Sequence, residues 1–134
     1  MKIIFTDIAG TLNGNTRHKL NTRSMHVLNK VIEKTNAKLV IVSSWRLHMS
    51  LNELRNLFFE YGFSGDIIGT TEDLFPQSRG AEIQKWISNN TTVESFVILD
   101  DIDDYQGLKH KVVFTDASEG IDYKHYDAII NMLI

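Results

Sequence analysis

Three apolar runs in this chain each end in small polar or acidic residues. Ile3-Ile4-Phe5-Thr6 runs into Asp7, Leu39-Val40-Ile41-Val42 into Ser43 and Ser44, and Phe96-Val97-Ile98-Leu99 into Asp100 and Asp101. Carboxylates from separate runs that meet at one place repel and raise one another's pKa unless a cation sits among them. An all-oxygen set of this kind suits Mg2+, which keeps open positions for water and phosphate. Ser43, with Ser44 beside it, offers a hydroxyl to a phosphate oxygen. Arg79 offers a guanidinium that can bind phosphate through two parallel hydrogen bonds. Gly10-Thr11, just after Asp7, can bring backbone N–H groups close to an anion. Trp45-Arg46 adds a stacking ring and a further phosphate contact. Each residue alone has a plainer reading: a loop acid for Asp7, loop hydroxyls for Ser43 and Ser44, a solvated acidic turn for Asp100 to Asp104, core and surface for Trp45 and Arg46. Lys85, the rival cation to Arg79, lies mid-helix facing water. The conjunction of three run ends in order favours the chemical reading.

The elements between these ends alternate. Lys2–Thr6 reads as a buried strand, and Asn13-Gly14-Asn15-Thr16 has turn chemistry. Leu20 to Lys34 carries Met25, Leu28, Val31 and Ile32 on one helical face, capped by Asn21 or Thr22. Ser50 and Glu53 have capping-box spacing ahead of Leu54, Leu57, Phe58 and Tyr61, with Gly62 as the stop. Asp66–Gly69 reads as a short strand and Ser78–Ser88 as a helix with Ile83, Trp86 and Ile87 inward. Lys111–Phe114 is a last strand and Asp122–Ile134 a last helix, with Tyr126, Ile129, Ile130 and Leu133 inward. Strands that are continuous apolar runs, alternating with helices, predict a parallel sheet covered on both faces. In such sheets ligands bind beyond the carboxyl ends of the strands, near the topological switch, which is where the polar residues fall.

Composition narrows the class. The 134 residues are 43% apolar and 23% charged, ordinary for one globular domain over residues 1–134. No eighteen-residue apolar run exists, so no membrane helix is expected. Zero cysteines exclude a disulfide framework and thiolate metal sites. A net charge of −3 argues against generic polyanion binding. The five histidines lack zinc spacing, and no P-loop motif is present. A cytoplasmic setting is expected. A receiver domain has similar length and acids, but its phosphorylated aspartate ends a middle strand, where this chain has Ser43-Ser44 and Gly69.

The segments Ile3 to Leu12, Val40 to Ser44, Arg79 to Ile83 and Val97 to Asp101 together resemble the four motifs of the haloacid dehalogenase (HAD) superfamily, over nearly the whole chain. The stretch from Arg79 through Trp86-Ile87 to the Asp-Asp pair is similar to small HAD domains of RNA-repair proteins and polynucleotide 3′-phosphatases. The resemblance implies an α/β Rossmann-like three-layer sandwich and a phosphatase in which Asp7 is the nucleophile and forms an aspartyl-phosphate. It further implies Mg2+ held by Asp7, the backbone carbonyl of Ala9 and Asp101, with Asp100 as a supporting acid, and Ser43 and Arg79 binding the transferring phosphoryl group.

One departure bears on turnover. The family carries a second aspartate two residues after the nucleophile, as general acid and base, and here that place is Ala9. An inactive or slowed form is therefore expected, whether through an engineered substitution or a natural loss of turnover. The alternative class is a non-catalytic phosphate- or metal-binding module. Phosphonoacetaldehyde hydrolases share Asp-x-Ala-Gly-Thr but need a cap-domain lysine, and neither Leu12–Leu20 nor Tyr61–Arg79 has room for a cap. A capless, open cleft implies a large phosphorylated substrate, either a nucleic-acid end or a phosphoprotein.

Overall fold

The computed structural model describes residues 1–13 and 19–134; Gly14 to Thr16 of the expected turn lie outside them. Strands β1 (Lys2–Thr6), β2 (Lys38–Ile41), β3 (Ile67–Thr70), β4 (Ser95–Asp100) and β5 (Val112–Phe114) form a sheet in the order β3-β2-β1-β4-β5. Every pairing is parallel. The helices are α1 (Thr22–Thr35), α2 (Leu51–Glu60), α3 (Arg79–Ser88) and α4 (Tyr126–Leu133).

Why the strands are apolar without alternation follows from what covers them. Ile4, Leu39, Ile41, Val97 and Leu99 point into a core shared with Met25, Leu28 and Val31 of α1, Leu54 and Phe58 of α2, and Ile129 and Leu133 of α4. Their neighbours Ile3, Phe5, Val40 and Ile98 point the other way, against Ile83 of α3 and Tyr105. The chain steps leftward from β1 to β2 to β3, then crosses back to β4. Right-handed crossovers place helices of opposite stepping on opposite faces, so of the four α-helices α3 covers the second face, together with Tyr105 and Leu108 from the loop after β4. The result is an α/β sandwich of three layers.

The helix boundaries obey local chemistry. Asn21 caps α1 by accepting from the N–H groups of Arg23 and Ser24, and Ser50 with Glu53 closes a full capping box on α2. Ser78 caps α3 by accepting from Ala81 N–H. The expected last helix is shorter than its sequence pattern: Tyr123–His125 is a 3-10 turn and the α-helix starts at Tyr126. Asp122 and His125 bond reciprocally there, tightening the first turn. A 3-10 turn over Ser44–Leu47, directly after β2, was not legible from periodicity.

Two features of this frame position the site. β1 and β4, neighbours in the sheet but distant in sequence, flank the topological switch, with Thr6 paired to Leu99. The next residues, Asp7 and Asp100, therefore emerge side by side at the carboxyl edge. None of the described loops carries an inserted module over that edge, and no described helix is long and apolar enough to cross a membrane.

Candidate phosphate and metal site

Asp7, Asp100 and Asp101 each present a carboxylate oxygen within 4.8 Å of the others. Strand geometry alone brings them there. Asp7 N–H donates to Leu99 carbonyl at 2.9 Å, continuing the β1–β4 ladder one step beyond the strand. Asp7 is only 3% exposed and Asp100 is fully buried, whereas Asp101 is partly open.

The three acids are not equivalent. Asp100 Oδ1 accepts from the N–H groups of Asp101 (2.7 Å) and Ile102 (3.2 Å). Its Oδ2 accepts from Arg79 Nη1 at 2.7 Å and from the Tyr105 hydroxyl at 2.5 Å. With four donors on two oxygens, Asp100 is an anchor that holds Arg79 in place. Asp7 Oδ1 lies 3.4 Å from the same Arg79 nitrogen, yet is buried without a hydrogen bond among the described residues. A buried carboxylate oxygen without a donor is costly unless a ligand completes it.

Electrostatics follow from this arrangement. Burial, then the nearby charge of Asp100, push the Asp7 pKa up to about 8, against the pull of Arg79 and the Ile8 N–H. Burial and the contact with Asp100 also raise Asp101. Burial works against the charge on Arg79, but Asp7 and Asp100 outweigh it and its pKa rises, so the guanidinium stays charged. Burial and Asp100 raise Tyr105, which keeps its proton as a donor. Near neutrality, this environment favours the protonated form of Asp7. An orphaned buried oxygen in a cluster of carboxylates without histidine or cysteine fits a hard divalent cation.

The remaining candidates divide. Gly10 is required: its φ is +75°, and a Cβ there would sit 2.5 Å from Asp101 Oδ2. Arg79, the first residue of α3, does reach the acids, while Lys85 pairs with exposed Glu72 at 2.8 Å. Ser43 is buried at the end of β2, where its Oγ accepts from Trp45 N–H at 3.2 Å. Among the described residues, no acceptor takes its hydroxyl hydrogen. Ser44 and Ala9 are exposed, so a longer side chain at position 9 has open space before it.

Two expectations need correction. The Gly10 and Thr11 N–H groups do not form an anion nest, because Gly10 donates to Asn13 Oδ1 at 2.9 Å and Thr11 to Ile8 carbonyl at 3.1 Å. The Thr11 hydroxyl is likewise engaged, with Thr115. Arg46 does not offer its guanidinium to a phosphate. It is turned inward, its side chain 6% exposed, toward Glu82 and a ring of backbone carbonyls. Half-buried Trp45 packs partly against the core.

Sequence reasoning missed Tyr105 and Asp104. Asp104 Oδ2 accepts from Arg79 N–H and its carbonyl from Gly80 N–H, both at 3.0 Å, which locks the loop after β4 onto the start of α3. Gly80 permits that approach, since a Cβ there would lie 3.1 Å from Tyr105 Cα. A Gly following Arg79 at a helix start was the available signal. Nothing local marks Tyr105 as a carboxylate partner.

Two outcomes follow from the buried acids. A carboxyl raised on folding contributes stability that is complete below its ordinary value of 3.8 and is lost as pH climbs toward about 8. In EDTA, Asp7→Asn should therefore be more stable than the unsubstituted chain at pH 8, by several kcal/mol, and little different from it at pH 4. Urea unfolding at the two pH values reads this, and an equal difference at both would refute the protonated Asp7. Gly10→Ala should destabilise by about 1–3 kcal/mol, because both the backbone angle and the Asp101 carboxylate must yield. An unaltered urea midpoint would refute that contact.

A family model described as "HAD domain in Swiss Army Knife RNA repair proteins" matches residues 3–126. No curated protein and no solved structure matches the chain significantly. The matched span runs from β1 into the first residue of α4 and contains all three acids, Ser43 and Arg79. On that span, and on a parallel sheet that delivers the acids to its switch point, the chain belongs to the HAD domains of Swiss Army Knife RNA repair proteins.

Proposed function

We propose that this chain is a Mg2+-dependent phosphohydrolase domain acting on phosphate at a nucleic-acid end through Asp7, and that Ala9 slows or stops its turnover. The observation that carries the reading is the Asp7 carboxylate: buried, lacking a hydrogen bond on one oxygen, and flanked by Asp100, Asp101 and Arg79. The RNA-repair family supports a nucleic-acid substrate, and an open carboxyl edge admits a polymer end.

Asp7 and Asp101, with the Ala9 carbonyl, would hold Mg2+. Bound there, the cation supplies the positive charge that keeps Asp7 ionised and lets a carboxylate approach a phosphate. Ser43 donates its hydroxyl hydrogen to a phosphoryl oxygen, and Arg79 faces the developing charge. An Asp7 oxygen attacks phosphorus as the bond to the ester oxygen breaks, giving an aspartyl-phosphate and an alkoxide that must gain a proton. Water then attacks the phosphorus, releases inorganic phosphate and restores the Asp7 carboxylate.

The proton steps are where this chain departs. The leaving alkoxide needs a donor and the attacking water a base, and alanine at position 9 supplies neither. A positioned acid–base group contributes about 10²–10⁴ in rate. Ala9 thus also favours a second reading, a module that binds metal and phosphate without turnover.

One variant separates the two. Ala9→Asp with Mg2+ should hydrolyse p-nitrophenyl phosphate and 3′-phosphorylated oligonucleotides about 10²–10⁴ times faster than the chain with Ala9. No hydrolysis of either by a folded Ala9→Asp protein assigns the chain to the binding module. The metal assignment has its own check: Asp101→Asn should weaken Mg2+ binding by about tenfold or more. Unchanged affinity by calorimetry would remove Asp101 from the ligand set.

A further inference from the structure

The inward Arg46 belongs to a buried ion pair that no step above uses. Its Nη2 donates to Glu82 Oε2 at 3.1 Å, the two side chains being 6% and 5% exposed. The other donors go to carbonyls: Nη1 to Val42 (3.0 Å) and Ser43 (2.9 Å), Nε to Thr71 (2.9 Å) and Nη2 also to Glu72 (3.5 Å). Every guanidinium N–H is engaged. Glu82 Oε2 also accepts from Leu74 N–H at 2.9 Å.

This pair spans the two elements that carry the phosphate-facing groups. Arg46 closes the turn whose cap is Ser43, and Glu82 sits in the first turn of α3, three residues after Arg79. Val42 N–H in turn donates to Thr6 carbonyl at 3.0 Å, one residue before Asp7. A buried ion pair is a poor source of net stability, because desolvation offsets the Coulombic gain. Its directional hydrogen bonds fix relative position well, and a planar fork of five donors does so where an ammonium cannot.

We infer that Arg46 and Glu82 are positioning residues that set the separation of Ser43 from Arg79 and so shape the phosphate pocket. The inference rests on the phosphohydrolase reading of that pocket. The residues proposed to hold the cation follow β1 and β4, and among the described residues neither Arg46 nor Glu82 bonds to them directly, so the pair acts on phosphate and not on the cation.

Calorimetry on the natural chain, first with Mg2+ alone and then with inorganic phosphate at saturating Mg2+, tests this. Arg46→Lys keeps the charge but loses the fork, Glu82→Ala removes the anchor, and Glu82→Gln keeps an acceptor of the same shape. Arg46→Lys and Glu82→Ala should weaken phosphate by about tenfold while Mg2+ affinity holds, and Glu82→Gln should restore most of the phosphate affinity. Unchanged phosphate binding in a folded Arg46→Lys or Glu82→Ala protein overturns the inference. Parallel loss of both ligands, or failure of both variants to fold, assigns the pair to stability alone and overturns it too. A natural chain that binds Mg2+ but no phosphate would refute the phosphate-site reading itself, and this inference with it.

Discussion

Three carboxylates crowded at one buried sheet edge repel one another, and the architecture around them is organised to contain that repulsion. Arg79 supplies the permanent cation, 2.7 Å from Asp100 and 3.4 Å from Asp7. It cannot neutralise all three. The structure divides the three unevenly: Asp100 is surrounded by four donors, while Asp7 is left without a hydrogen bond on one oxygen and burial beside Asp100 raises its pKa. Uneven solvation of like groups is how two carboxyls of the same type come to serve different roles.

On the proposed reading that division gates the site by a cation: Asp7 must be ionised to attack a phosphate, yet burial and Asp100 push its pKa up to about 8. Solvent cannot relieve this, since Asp7 is almost wholly enclosed. Asp7 and Asp101 are the residues that would hold a divalent ion on that reading, and its charge would favour the ionised form of Asp7. Gly10, whose missing side chain lets Asp101 lie against the β1 turn, is what allows the two carboxylates to approach.

Strand ends were legible in the sequence because they obey a short-range rule. A continuous apolar run in an alternating α/β pattern must be a buried parallel strand, and its first polar residue must emerge at the carboxyl edge. Asp7, Ser43 and Asp100 were placed by that rule alone, and capping chemistry placed the starts of α1 and α2. What the sequence hid was the direction taken by long side chains. Arg46 has reach enough to point outward to a phosphate or inward to Glu82, and only the tertiary position of α3 decides between them. The backbone N–H groups of Gly10 and Thr11 were hidden for a related reason: the acceptor from Asn13 arises from the tight turn that follows, not from their own spacing. Tyr105 lies in an irregular loop with no periodicity, so its bond to Asp100 has no local signature.

Ala9 gains its meaning from this geometry. The metal-binding and phosphate-facing parts depend on residues that the fold constrains from several sides, through Tyr105, Asp104, Glu82 and Gly80. Position 9 is exposed. On the proposed reading, alanine in place of an acid–base side chain there leaves the core, the ion pairs and the donor set unaltered, so binding and turnover would be separable. Such a chain would keep the residues that gather a cation and a phosphate while lacking the group that moves the proton. The same logic makes the change reversible, because aspartate at an open position displaces no packed atom and adds its carboxyl where solvent already reaches.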